Sequence, residues 1–257
     1  MLTVYYARGG DMAGRWGGAI LSTAALALVI AAAYVLNDVF DYQVDRAHPG
    51  AHPIAAGRVS RRGAGDLAIA LLLAGLGLGA LCRWQFLAVL AAVACGLVAY
   101  DVFSKRLGPA KQLAVAALTT SIYPLALAQA GGARGPRVAT LPAFAVWFFL
   151  TSFGYEILKD IRDSESDPPV AGRATPIQRR RALWRAIAAV VIAASSLLLV
   201  GPFLLGCGWP YMAIAGCAIP LALAAGFAGV RAAIRLTYAE CFIVGLAAGI
   251  DVMVLGS

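Results

Sequence analysis

Charge is scarce in this chain. Only 13% of its 257 residues are Asp, Glu, Lys or Arg, against 61% hydrophobic residues, and the mean hydropathy is +0.80. That balance excludes a soluble globular domain. Histidine is scarcer still: His48 and His52 are the only two, too few for a His-rich zinc centre. The five cysteines (Cys82, Cys95, Cys207, Cys217 and Cys241) lie mostly inside apolar runs without CxxC spacing. They read as small packing residues, neither disulfides nor metal ligands. No Gly-x4-Gly-Lys-Ser/Thr loop occurs, so nothing points to an ATP-driven machine. What the chain has in quantity is apolar runs of about twenty residues, the length that crosses a bilayer core. Only helices and closed barrels satisfy their backbone in lipid, and these runs are helix-length. The expected fold class is therefore all-α: a polytopic transmembrane helical bundle, a single domain over 1–257.

Eight helices are expected. They cover about 14–36, 64–81, a third after Arg83 ending near Tyr100, then 112–130, 139–158, 182–205, 211–230 and a last one from about Tyr238. On the second, Gly75 and Gly79 offer a small-xxx-small contact for close helix packing. The loops after the first, third, fifth and seventh helices hold 16 Lys/Arg, whereas the N-terminus and the remaining loops hold 5. The basic loops face the cytoplasm by the positive-inside rule, with both termini outside. The formal charge of +8 is thereby a matter of membrane topology, and no nucleic-acid partner is expected.

The acids are few but gathered. Asn37-Asp38-Val39-Phe40-Asp41-Tyr42-Gln43-Val44-Asp45 closes the first apolar run and contains the only asparagine. On a helix Asp38, Asp41 and Asp45 share a face, as do Asn37, Asp41 and Asp45. The pattern recurs as Lys159-Asp160-Ile161-Arg162-Asp163-Ser164-Glu165-Ser166-Asp167, with Asp38/Asp160, Asp41/Asp163 and Asp45/Asp167 each 122 positions apart. His52-Pro53-Ile54 is echoed by Thr175-Pro176-Ile177 one residue further on. Four helices separate the two motifs and both leave on the same side, so the repeat is parallel, with halves of about 14–130 and 139–257. Solvated helix ends would account for one cluster, but an in-register copy reads as one shared site. Like charges on one face repel unless a cation lies between them. Oxygen ligands select a hard ion such as Mg²⁺, which prefers to share its shell with water and phosphate oxygens. A diphosphate suits that site.

At these residues the chain resembles the UbiA superfamily of intramembrane aromatic prenyltransferases, over nearly its whole length. Asn37-Asp38-x-x-Asp41-x-x-x-Asp45 looks like the family's first motif, and Pro53-Ile54-Ala55-Ala56-Gly57-Arg58-Val59-Ser60 like the segment after it. Tyr100 through Lys105-Arg106 is similar to its tyrosine-to-lysine cytoplasmic loop. Glu156-Ile157-Leu158-Lys159-Asp160-Ile161-x-Asp163-x-x-x-Asp167 matches the second acidic motif. The resemblance implies two Mg²⁺ ions, one on Asn37, Asp41 and Asp45 and the other on Asp163 and Asp167, both gripping the diphosphate of a polyprenyl donor. Lys105 would neutralise a phosphate oxygen and Tyr100 hydrogen-bond it. Asn37, Asp38, Arg46, Lys159 and Asp160 complete the expected substrate-binding set beside Lys105. The catalytic set is Asp41, Asp45, Asp163, Asp167, Lys105 and Tyr100.

As Lewis acids the metals stabilise charge building on the diphosphate while the allylic C–O bond breaks. The carbocation then needs a dry, aromatic-lined cavity, for which Phe40, Tyr123, Trp147, Phe148, Phe149 and Phe153 are candidates. Three departures stand out. His52 and Tyr155 occupy places where the family commonly has arginine, and an asparagine is absent around Pro109 to Gln112. The family has nine helices, and its first has no counterpart ahead of position 14: either the start codon is misassigned or this is an eight-helix variant.

The expected activity is transfer of a polyprenyl group to an aromatic or other hydrophobic lipid-precursor acceptor: a hydroxybenzoate, a naphthoate, a glyceryl phosphate, a sugar phosphate or a chlorin. It takes place in the cell membrane at a site facing the cytoplasm. An intramembrane terpene cyclase would use the same metals without an acceptor. A parallel-repeat transporter, a reading from another class, would place its acids near mid-helix, whereas these sit at helix ends.

Overall fold

The computed structural model describes residues 8, 14–46, 52–104, 107–108, 110–132, 137–166 and 176–255. Every regular element among them is helical: α1 (Trp16–Asp45), α2 (Arg61–Ala80), α3 (Trp84–Phe103), α4 (Ala110–Thr120), α5 (Ile122–Ala130), a 3₁₀ turn (Val138–Thr140), α6 (Leu141–Ser166), α7 (Pro176–Arg179), α8 (Arg181–Leu197), α9 (Val200–Leu204), α10 (Trp209–Ala215), α11 (Ala218–Phe227) and α12 (Val230–Leu255). Eight stretches among the described residues are long and apolar enough to cross a membrane. Three of the eight are kinked, and proline sets each kink. Pro124, Pro202 and Pro220 lack the N–H that would bond four residues back and press their rings on that carbonyl. The helices break at Ser121, at Leu198–Leu199 and at Gly216–Cys217. At the second break the Leu198 carbonyl accepts from the Gly201 N–H at 2.9 Å in place of the lost bond.

Two boundaries differ from the sequence reading in ways that matter. α1 does not stop near Leu36 but continues to Asp45, so the first acidic motif lies on helix and its spacing fixes a face. A helix of 30 residues is about 45 Å long at ~1.5 Å per residue, which exceeds a hydrocarbon core of about 30 Å. The last helix begins at Val230, so Arg231 and Arg235 sit on its first turns and not in a loop. Nothing in that stretch breaks a helix, and the apolar content alone hides its start.

The helices group into two compact units. The first holds α1, α2, α3 and Pro124–Gly132. Its core is Ala25, Val29, Phe86, Leu90, Val93, Ala94 and Leu125. α2 is capped by the Ser60 hydroxyl, which accepts from the Gly63 N–H at 3.0 Å, the satisfied donor that a helix start requires. Gly75 and Gly79 do let helices close in, each against a different neighbour. A Cβ on Gly75 would stand 2.9 Å from the Ala25 carbonyl of α1, and one on Gly79 2.8 Å from the Leu90 side chain of α3. α5 ends at Gly131 and Gly132, both at positive φ. There the Gly132 N–H donates to the Leu127 carbonyl at 3.0 Å, a left-handed stop that favours glycine.

The second unit holds α4 and α6 to α12. Ile157, Leu158, Ile161, Ala188, Ile192, Ala222, Ala233 and Ile234 form its main core. Gly154 of α6 admits Ile192 of α8 so closely that a Cβ would meet its Cγ1 at 2.5 Å. A buried ion pair fastens three segments of this unit. Arg137 donates through Nε to Asp251 Oδ2 at 2.5 Å and through Nη2 to the Asp251 carbonyl at 2.9 Å. The Gly208 N–H donates to Asp251 Oδ1 at 2.7 Å. Arg137, counted from sequence as a loop charge, is thus a core residue, 3% exposed.

Candidate active site

In the first unit the last turns of α1 bring four candidate residues onto helix. The Asn37 amide donates to Asp41 Oδ2 at 3.0 Å. Asp38, Asp45 and His52 each offer a ligand atom, and the three atoms lie within 4.8 Å of one another. His52 Nδ1 stands 3.2 Å from Asp45 Oδ2. This donor set of carboxylate oxygens with one imidazole suits a divalent cation that keeps water or phosphate in its remaining positions. The grouping differs from expectation in detail: Asp45 is gathered with Asp38 and His52, while Asn37 and Asp41 are joined to each other. Arg46, expected on phosphate, lies over the Tyr42 ring at 5.8 Å, and Arg61 lies over the same ring at 5.7 Å. Arg61 Nε also donates to the Val39 carbonyl at 3.1 Å. Tyr100 lies on the last turn of α3 just before Asp101, which is buried and whose Oδ2 accepts no hydrogen bond among the described residues.

In the second unit the acids lie along the last turns of α6, and most are already paired. Asp160 accepts from Lys111 Nζ at 2.9 Å and from Gln112 Nε2 at 2.6 Å, both from α4. Lys159 Nζ turns back to Glu156 at 3.5 Å. Asp163 is held by its neighbour Arg162, whose Nη2 reaches it at 2.7 Å. Asp160 is thus braced from two sides, whereas Asp163 is 42% exposed at its side chain and open to a ligand. Lys105 and Asp167 lie outside the described residues, as do His48 and Arg134.

The same unit contains an apolar cavity of about 170 Å³, lined by Tyr123, Phe144, Trp147, Phe148, Cys241 and Val244 among others. Tyr123 meets Phe148 edge-on, with ring centroids 6.2 Å apart, and Trp147 is pinned by its Nε1–H donating to buried Glu240 at 2.9 Å. Three of the six aromatics singled out from sequence therefore line one cavity. Phe153 instead packs on the core of its unit, and Phe40 is exposed.

Sequence reading passed over the approach of His52 to Asp45, buried Asp101, and the Lys111–Gln112 brace. The signal for Asp101 was present: a lone carboxylate inside an apolar helix marks a functional position by default. The brace left no such signal, because its partners are 48 and 49 residues from Asp160.

Comparison with known proteins agrees with this chemistry. The model of the UbiA prenyltransferase family matches residues 2–244. A digeranylgeranylglyceryl phosphate synthase of Methanopyrus kandleri is 32% identical over 203 residues, covering 77% of this chain and 72% of that protein. Its counterpart in Natronomonas pharaonis is 34% identical over 196 residues, covering 74% and 68%. Among solved structures, one from work on digeranylgeranylglyceryl phosphate synthase in membranes superposes with a TM-score of 0.76 at 20% identity, covering 98% of this chain and 90% of that one. A UbiA homolog from Archaeoglobus fulgidus bound to GPP and Mg²⁺ gives 0.67 at 18% identity, covering 98% and 94%. These two carry the fold; the family match and the relatives carry the class of activity. The chain belongs to the UbiA prenyltransferase family and is a multi-pass membrane prenyltransferase.

Proposed function

We propose that the chain moves a polyprenyl group from an allylic polyprenyl diphosphate to a lipid-precursor acceptor, with two Mg²⁺ ions, at a site opening to the cytoplasm. The observation that carries this reading is the convergence of Asp38, Asp45 and His52 ligand atoms within 4.8 Å, beside the Asn37–Asp41 pair, on a motif that the sequence repeats at Asp160, Asp163 and Asp167. The names of the relatives point to a glyceryl phosphate lipid as the first acceptor to test. The excess of Lys/Arg on the loops after the first, third, fifth and seventh predicted helices supports the cytoplasmic opening.

Asn37, Asp41 and Asp45 would hold one ion and Asp163 with Asp167 the other, with Asp38 and His52 beside the first. When bound, Mg²⁺ supplies Lewis-acid stabilisation of the negative charge that gathers on the departing diphosphate. The chain's own groups do the rest. Lys105 places a point charge toward phosphate, and Tyr100 orients it with a hydrogen bond. Lys111 and Gln112 fix Asp160, so the second motif keeps its geometry in the absence of substrate. The aromatic cavity excludes water from the prenyl chain and presents ring faces that suit a cationic carbon.

Asp41→Ala and Asp163→Ala, each assayed in proteoliposomes with labelled donor and a prenylated glyceryl phosphate, are expected to lose transfer by at least about a hundredfold, in line with losing a metal ligand. Chelation with EDTA is expected to do the same and excess Mg²⁺ to reverse it. Full transfer in both variants, or a cyclic hydrocarbon released without acceptor, would overturn the reading.

A further inference from the structure

The apolar cavity and the second acidic motif occupy opposite ends of one helix. Leu141, Phe144, Trp147 and Phe148, on the first turns of α6, line the cavity together with Val244 and Ala248 of α12. Asp160 and Asp163 lie on the last turns of α6. The cavity volume is about 170 Å³. An apolar core cavity of about 150 Å³ stays dry and admits a six-carbon guest such as benzene. This one therefore has room for about one five-carbon isoprene unit, not for a whole polyprenyl chain. Its walls are held in place by contacts behind them. The Trp147 indole N–H donates to Glu240, itself wholly buried, at 2.9 Å. Phe144 meets the Tyr211 ring edge-on at 5.6 Å, and the Tyr211 hydroxyl donates to the Leu199 carbonyl at 2.9 Å. Walls fixed in this way do not swell cheaply for a larger guest, because overpacking drives side chains off their rotamers.

Distance along the helix says which isoprene unit fits. Phe144 and Asp163 are nineteen residues apart on α6, about 28 Å at ~1.5 Å per residue. An extended chain advances about 1.2 Å per bond, so an isoprene unit of four main-chain bonds spans roughly 5 Å and four units roughly 20 Å. The remaining distance of roughly 8 Å matches a metal–oxygen bond of ~2 Å followed by the bonds of a diphosphate ester at about 1.2 Å each. A chain of two units held at Asp163 ends about 10 Å short of the cavity end.

We propose that the cavity is a chain-end subsite that takes the fourth isoprene unit of the donor, and that Phe144 and Ala248 set the length limit. The inference rests on the polyprenyl-donor reading above and narrows the cavity's role to the far end of the chain. It assigns donor length to residues outside both acidic motifs.

The test measures equilibrium binding to the full-length chain in phosphatidylcholine nanodiscs, with Mg²⁺ and without acceptor. Unlabelled allylic diphosphates of two, three, four and five isoprene units displace a tritium-labelled four-unit diphosphate, with partition into lipid corrected from empty nanodiscs. The parent is expected to gain at least about tenfold in affinity from three units to four, since even one methylene in an apolar pocket is worth about that much. It is expected to gain nothing from the fifth. Ala248→Phe puts a ring into the cavity and is expected to lower the ratio of four-unit to two-unit affinity by at least about tenfold. Phe144→Ala opens the end and is expected to move the optimum to five units, which decides the matter should Ala248→Phe fail to fold. Equal parental affinity for three and four units, a further parental gain at five, or parental ratios in both variants overturns the inference and leaves the donor reading standing. A parent that binds no diphosphate of any length overturns the donor reading itself, a distinct result.

Discussion

At the scale of single residues, the acids divide by what already neutralises them. Asp160 has two partners from α4, and Asp45 has His52. Removing a metal ligand and removing a phosphate contact therefore leave different signatures. Asp45→Asn weakens a ligand but keeps its shape, so raising Mg²⁺ is expected to restore a substantial part of its activity by mass action. If Lys105 has the proposed role on phosphate, the defect of Lys105→Ala is expected as a raised KM for the donor that added Mg²⁺ does not repair. A two-way titration of donor and metal against each variant measures both. Equal rescue of the two would show that Lys105 acts through the metal. That Asp38, Asp41 and Asp45 share one helical face was legible from spacing alone, since a face follows from i, i+3 and i+7 and α1 runs on to Asp45. The pairing of Asp45 with His52 was not legible, because it depends on how the chain returns after α1.

At the scale of elements, close packing rests on a few glycines whose neighbours are specific. Gly75 and Gly77 share α2, but only Gly75 faces a backbone. Gly75→Ala is expected to destabilise the chain by about 1–3 kcal/mol through overpacking against α1. Gly77→Ala, with open space at its Cβ, is expected to be neutral or stabilising by up to about 1 kcal/mol, since alanine restricts the unfolded chain. Thermal unfolding in detergent reads both, and equal losses would contradict the contact geometry. The Arg137–Asp251 pair makes a sharper case. Both side chains are almost wholly buried, 4% and 0% exposed, and Arg137→Ala strands a carboxylate at an expected cost of about 3–5 kcal/mol. Arg137→Met combined with Asp251→Leu is expected to cost less than the single change, because no uncompensated charge remains. A double variant less stable than the single one would assign the pair a net stabilising role.

At the scale of the whole molecule, the proposed orientation in the membrane rests on the loop charges. Cysteines introduced at Arg58 and Arg180 are expected to react with a membrane-impermeant thiol reagent only from the cytoplasmic side, and one at Arg83 only from the outside, in a background stripped of the native cysteines. The reverse pattern would invert the topology and move the proposed site to the other face.

Composition and pattern by themselves determined the membrane class, the number of spans and the repeated acidic motif. Each is a local property: apolar length or a spacing along one helix. Only the tertiary structure decided which groups share an environment. It drew His52 to Asp45, braced Asp160 with Lys111 and Gln112, and sank Arg137 onto Asp251. Those contacts join residues from 7 positions apart, as read from the chain, to 114 apart. Their existence depends on helix packing that glycine contacts such as Gly75 and Gly154 permit, and periodicity along a single helix carries no record of the helix it will meet.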